Sequence, residues 1–337
     1  MSGKTKIGLM GFGQIGRQLY KLAMQDERFE IVAISDIGRA EILAHLLTKT
    51  LGESSVRLEG NYLLGDGLRT RLMTADSPTE IPWDVFDVDV VIDASGQFRT
   101  REDLEPHLNN GVKRVIVATL PDGEIDRVIL YGVNNCAASS SDTLISAGSA
   151  STTATALALD TIRNRFEIAH ASMTSVHAYT SDQSLQDYAG ADYRCSRSGA
   201  ENIIPNLTPA LEWLQKTLPF LTGKMTGYAL NVPVQSGSML DITVSLVDQI
   251  DEVGDLKDLF VESAKASPSL IGVTSDPIVS SDVKGCDKSL LVDLTGSIKA
   301  GKRIFKLIAW HETMGHAARI LDVASLYQGL DAIGGQR

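Results

Sequence analysis

The chain has 337 residues, 43% of them hydrophobic and 22% charged, enough to fill roughly two domain-sized cores. Its 31 Lys and Arg against 42 Asp and Glu leave a net charge of −11, which gives no general reason to hold DNA, RNA or an anionic membrane, although a local basic pocket could still take a phosphate. Three widely spaced cysteines, Cys136, Cys195 and Cys286, form no CxxC pair or metal-ligand spacing, so neither a metal site nor a disulfide framework is expected, and the reducing cytoplasm suits the chain. No apolar run approaches the roughly 20 residues of a membrane span, and the start carries no cleavable leader pattern.

The first half alternates strands and helices. Lys6–Met10 reads as a strand, Gln14–Gln25 as a helix with Ile15, Leu19, Leu22 and Ala23 on one face, and Ile31–Ser35 as a second strand. Further strands are predicted at Val88–Ala94, Lys113–Ala118, Val128–Tyr131 and Thr143–Ala147, then a helix at Thr152–Phe166. This alternation predicts an α/β fold with a doubly wound parallel sheet. The second half carries long alternating segments at Ala171–His177, Met225–Pro233, Leu240–Val247 and Phe305–Ala309, which predict a mostly antiparallel sheet. Helices are predicted at Ile203–Thr217, Asp255–Ala266 and Ala317–Leu330. The expected whole is a Rossmann unit followed by an α+β domain with a mostly antiparallel mixed sheet.

The segment Gly11-Phe12-Gly13-Gln14-Ile15-Gly16 is a G-x-G-x-x-G between a strand and a helix, and Asp36 ends the next strand 20 residues after Gly16. That context points to a dinucleotide. Gly11 permits the tight turn, Gly13 lets backbone approach the pyrophosphate, and Gly16 lets helix and strand pack closely. The helix start offers N–H groups and positive dipole to the phosphates. A carboxylate at Asp36 can accept from ribose hydroxyls and repels a 2′-phosphate, which favours NAD over NADP; Arg39 nearby works the other way. Ser95 and Gly96, and Thr119, follow later strands and suit the same cleft, where ligands collect beyond the carboxyl ends of strands.

These residues resemble the glyceraldehyde-3-phosphate dehydrogenase family, including its erythrose-4-phosphate dehydrogenase relatives. GFGQIGR, ASGQF at 94–98, GVN at 132–134, SVHAYT at 175–180, NIIP at 202–205, LTGKMTGYALNVP at 221–233 and the Trp310 segment fall in the family's order over nearly the whole chain. The resemblance implies an NAD-binding domain over 1–150, a catalytic domain over 151–316, a final helix over 317–337 packed on the first domain, and a homotetramer. The family's chemistry needs a cysteine that attacks an aldehyde, a histidine that takes the proton, and phosphate that splits the resulting thioester.

Here Ser151 stands where that cysteine is expected, in Ser149-Ala150-Ser151-Thr152-Thr153-Ala154-Thr155. His177 matches the general base. Ser151 with His177 could form a dyad; the simpler use of Ser151 is to cap a helix beginning near Thr152. Thr152, Thr180, Arg194, Arg197 and Thr208 match positions that hold substrate or inorganic phosphate. Asn231 replaces a phosphate-binding arginine, Pro209 replaces a glycine and its N–H, and Thr313 replaces the asparagine that orients the nicotinamide carboxamide. The resemblance with these departures predicts an NAD-binding homologue in which thiol-dependent oxidation is lost or altered, in a regulatory or scaffolding role with a protein partner yet to be identified. Three other readings stand beside it: direct hydride transfer with His177 as base on a small phosphorylated sugar aldehyde, a Cys-to-Ser variant of a true dehydrogenase, and a Ser–His hydrolase.

Overall fold

A computed structural model describes residues 4–52, 56–65, 67–180, 183–190 and 192–334. The chain divides into two compact units, Met1–Ser149 with His316–Arg337, and Ala150–Gly315.

Unit 1 contains β1 (Thr5–Met10), α1 (Gln14–Ala23), β2 (Phe29–Ser35), α2 (Ala40–Leu51), β3 (Arg57–Glu59), β4 (Tyr62–Gly65), β5 (Leu68–Met73), β6 (Val90–Asp93), α3 (Arg101–Leu108), β7 (Arg114–Val117), β8 (Arg127–Val128) and β9 (Leu144–Ser146). The sheet runs β3-β4-β5-β2-β1-β6-β7-β9-β8. All pairings from β5 to β8 are parallel, and β3 and β4 form an antiparallel edge. Alternate residues of the central strands enter opposite cores. Ile7, Leu9, Ile92 and Ile116 join α1 and the C-terminal helix through Leu19, Ile320 and Tyr327. Met10, Val91, Val115 and Val117 join Trp83 and Leu104 on the other face. Strands buried on both faces read as continuous apolar runs, which is why the sequence exposes them.

The elements α2, β3, β4, β5 and α3 are not among those predicted from the sequence. Helix α3 carries Pro106 inside it, and only its capping box marks it: the Thr100 hydroxyl accepts from the Asp103 N–H at 3.2 Å, while the Asp103 carboxylate accepts from the Thr100 N–H at 3.2 Å. The hairpin β3–β4 is too short and polar to register. The strand predicted at Val128–Tyr131 shrinks to Arg127–Val128.

Unit 2 begins with α4 (Ala150–Arg163), followed by β10 (Ile168–Ala178), β11 (Ile204–Asn206), α5 (Ala210–Thr217), β12 (Met225–Val232), β13 (Ser238–Leu246), α6 (Gly254–Ala266), β14 (Ile271–Thr274), β15 (Leu290–Ala300) and β16 (Ile304–His311). Helix α7 (Thr313–Gly334) starts here and from His316 onward belongs to unit 1. The sheet order is β11-β12-β10-β13-β16-β15-β14. Its β10–β12 and β14–β15 pairs are parallel and the other four antiparallel, so the sheet is mixed and mostly antiparallel. The helix predicted over Ile203–Thr217 is corrected: its first part is the edge strand β11, and helix begins only at Ala210. Pro205 and Pro209 explain this, since each biases the residue before it away from the helical region.

Candidate active site

The glycine loop lies where β1 hands over to α1. Gly11 has φ +86°, and a Cβ there would press on the Ser95 backbone, so no larger residue fits. Gly13 occupies the start of α1, and a Cβ on it would meet nothing within 4 Å. No side chain caps α1 and no acid sits in its first turn, where Gln14, Ile15 and Gly16 lie. That space and positive helix end fit a pyrophosphate. Gly16 packs on the Gly11 carbonyl, so a side chain there would force helix and loop apart.

The Asp36 carboxylate accepts from the Phe12 N–H at 2.6 Å and from the Gly38 N–H at 2.7 Å. Each oxygen keeps lone-pair capacity for a ribose hydroxyl. Arg39 is turned to Glu41 at 3.7 Å and is largely exposed. A pocket beside Asp36 and Gly38 is lined by Leu43, Asn61, Arg71, Met73 and Thr74, which periodicity could not find because they come from three separate elements.

Ser95 and Gly96 form an elbow beyond β6. Asp93, wholly buried, accepts from the Ser95 N–H at 2.9 Å and the Ser95 hydroxyl at 2.6 Å, and Gly96 turns with φ +72°. Thr119 follows β7; its carbonyl accepts from Ser146 at 2.7 Å, while its buried hydroxyl oxygen has no hydrogen-bond partner. Strands β2, β1, β6 and β7 are neighbours in the sheet, so the structure gathers Asp36, the glycine loop, the Ser95–Gly96 elbow and Thr119 along one edge. Space above Gly13, spare acceptors on Asp36 and an orphaned Thr119 hydroxyl all fit a dinucleotide.

In unit 2, Ser151 is the second residue of α4 and is buried. It is therefore inside the first turn, and the expected capping role at a helix starting near Thr152 is corrected. Thr152, Thr153 and Thr155 are also buried. The Thr155 hydroxyl contacts the Met173 sulfur at 3.0 Å, which seats α4 on β10. Ser151 lies one turn before Thr155 on the same face, and His177 lies four residues beyond Met173 on the same face of β10. The four residues 164–167 reverse the chain between these elements, so Ser151 and His177 rise toward the same end of the unit.

The His177 Nε2 meets the Ser175 hydroxyl at 2.9 Å, and burial pushes its pKa below the ordinary histidine value. Asn231 is its register partner on β12 and is buried. On the other side the His311 ring stands edge-on to His177, with centroids 5.8 Å apart. Sequence spacing gave no signal for this pair, because β10 and β16 meet only through β13. Glu312 accepts from the Met314 N–H at 2.7 Å and from the Thr313 hydroxyl at 3.0 Å, so it closes the start of α7 and holds Thr313 there.

The phosphate candidates engage their own surroundings. Arg197 pairs with Asp187 at 2.8 Å on an exposed surface. Arg194 reaches the Pro205 carbonyl at 3.4 Å. The exposed Thr180 donates its N–H to Gln183 at 3.2 Å, and the Thr208 hydroxyl accepts from the Ala210 N–H at 3.2 Å at the start of α5. Among the described residues no group of three or more His, Cys, Asp or Glu is placed to hold a metal ion. Nor is any described helix long and apolar enough to cross a membrane.

Residues 5–101 match the NAD binding domain of glyceraldehyde 3-phosphate dehydrogenase, and residues 149–313 match its C-terminal domain. The chain is 34% identical to a glyceraldehyde-3-phosphate dehydrogenase of Haloarcula vallismortis, over 96% of this chain and 98% of that one. It is 33% identical to that of Mycobacterium leprae, over 96% and 98%. It is 30% identical to glyceraldehyde-3-phosphate dehydrogenase 1 of Bacillus cereus, over 95% and 98%. The glycine loop, the Asp36 carboxylate and these matches agree: the chain belongs to the glyceraldehyde-3-phosphate dehydrogenase family and takes NAD as its cofactor.

Proposed function

We propose that this protein holds NAD as its relatives do but has lost or altered the thiol-dependent, phosphorylating oxidation of an aldehyde, leaving a regulatory or scaffolding role. The observation that carries this reading is Ser151, buried in the first turn of α4 at the position the family resemblance assigns to the nucleophile. A helix N-terminus stabilises a thiolate, whose parent thiol ionises at about pH 8.5. A serine hydroxyl is far less acidic, and its acyl ester passes the acyl group to phosphate poorly. Of the cysteines, Cys136 is exposed and Cys286 has its pKa raised by burial; neither lies on α4. Asn231 beside His177 in place of an arginine removes a charged hydrogen bond to phosphate worth about 1.5–3 kcal/mol.

A second reading rests on His177. Burial keeps its ring neutral near pH 7, so it can accept a proton directly from a small phosphorylated sugar aldehyde in its hydrated form, with no covalent intermediate. A homotetramer suits the exposed Tyr193, Ile203 and Leu207 of unit 2, and a cytoplasmic setting suits the free thiol at exposed Cys136.

Calorimetry with NAD, and NADH production from glyceraldehyde 3-phosphate, separate these readings when applied to the protein and to Ser151→Cys and Ser151→Ala. NAD binding without turnover in the protein or in Ser151→Cys supports the first. Turnover that survives Ser151→Ala supports the second and overturns the first. Turnover that appears only in Ser151→Cys marks the serine as the single lesion of an otherwise intact dehydrogenase.

A further inference from the structure

Behind the cofactor cleft, unit 1 buries a polar chain that neither the glycine loop nor the Ser151 site uses. Trp83 donates its indole N–H to His107 Nδ1 at 2.9 Å, and His107 Nε2 faces Asp93 Oδ2 at 3.4 Å. The other Asp93 oxygen accepts from both the N–H and the hydroxyl of Ser95. Trp83, His107 and Asp93 each have no solvent exposure.

The direction of every bond is fixed by chemistry. An indole can only donate, so Nδ1 must accept, and the imidazole proton is placed on Nε2, aimed at Asp93. The anchor cannot drift, because the Trp83 ring lies so close to β1 that a Cβ on Gly8 would sit 2.7 Å from it. At the far end the Ser95 backbone is pressed against Gly11, and the Ala94 N–H donates to the Met10 carbonyl at 2.7 Å. The chain therefore ends on the contact between the Ser95–Gly96 elbow and the glycine loop. A buried carboxylate is costly unless its donors are held in place. Here the donors are the elbow itself and His107, so the arrangement of Asp93 and the shape of the elbow are set together.

We infer that Trp83, His107 and Asp93 form a hydrogen-bonded brace that holds the Ser95–Gly96 elbow in the shape that receives NAD, making His107 a positioning residue for the cofactor. It touches Trp83 and Asp93, and it acts on NAD through Asp93 and Ser95.

The test is NAD binding by calorimetry on the full chain, for His107→Leu, His107→Gln, Ser95→Ala and the His107→Leu/Ser95→Ala pair. Glutamine keeps an amide donor for Asp93 and a carbonyl acceptor for Trp83. The brace predicts a loss of affinity of about tenfold in His107→Leu, recovery to within about threefold in His107→Gln, and a double variant weaker by much less than the product of the single losses. Unchanged NAD affinity in His107→Leu, or losses that multiply in the pair, would overturn the proposal. Should His107→Leu fail to fold, Trp83→Phe removes the indole donor while keeping a smaller aromatic side chain at the anchor. Weakened NAD binding in that variant supports the brace, and unchanged binding refutes it.

Discussion

At Gly13, φ is −68°, open to any residue, and an added Cβ meets no atom of the protein. Gly13→Ala therefore disturbs nothing in the fold beyond a weaker helix start, worth under about 1 kcal/mol. The methyl would occupy the space that fits the pyrophosphate. The expected outcome is a melting temperature within a few degrees of the parent, with NAD affinity down by at least about tenfold. Intact NAD binding by calorimetry would show that the phosphates lie elsewhere. Asp36→Ala removes the acceptor for two backbone N–H groups and for the ribose. It should weaken NAD by about 1.5–3 kcal/mol and narrow the preference over NADP, read as the ratio of the two dissociation constants. These residues were legible in the sequence because their geometry is local: one loop, one helix start and one strand end. Asp93, His107 and Trp83 were not, since their bonds cross 14 and 24 residues of chain and exist only once β6, α3 and the Trp83 turn have packed.

The central strands of unit 1 are legible as apolar runs, whereas α2, β5, β14 and β15 are not placed from the sequence, and the short β11 depends on tertiary contact. Strand β1 declares itself by its apolar run, whereas β11 is three residues centred on Pro205 and takes its strand character from pairing with β12. The start of α7 carries a further consequence of packing. His316 is buried, and its Nε2 meets the Ala118 carbonyl at 2.7 Å. Burial, with a smaller contribution from Arg319, holds its pKa below the ordinary value of 6.5, against the opposing pull of the Ala118 bond. Unfolded, the ring binds a proton as pH falls through 6.5, while the native ring does not until lower pH. Stability must therefore rise with pH between the depressed native value and 6.5, and His316 adds no slope above it. His177 tilts the curve in the same sense. His316→Gln keeps an amide donor for Ala118 and removes the titration. Urea unfolding between pH 5 and 7 should show a shallower pH slope in that variant, by up to about 1.4 kcal/mol per unit. An identical slope would mean that His316 is solvated or charged in the native state.

At the scale of the molecule, the two sheets solve different problems. The parallel sheet of unit 1 buries both faces and leaves its strand ends free to gather a ligand, so cofactor residues were predictable from the rule that ligands sit beyond those ends. The mixed sheet of unit 2 lines up Asn231, His177 and His311 across β12, β10, β13 and β16, a row that follows from register and not from spacing. This division predicts where NAD is felt. A ligand that binds only the native state adds about 2.7 kcal/mol at a hundred times its dissociation constant, delivered to whichever segments it orders. Hydrogen exchange with and without NAD should slow most at residues 11–16, 36–38, 93–97 and 118–120, the strand-end loops of unit 1. In His107→Leu the slowing should fade first at 93–97, where the brace ends, while 11–16 retains part of its protection through the helix start. Protection confined to unit 2, or spread evenly over the chain, would be incompatible with a cofactor seated on these loops. Fading at 11–16 before 93–97 would place the weak point of the cleft at the glycine turn and not at the elbow.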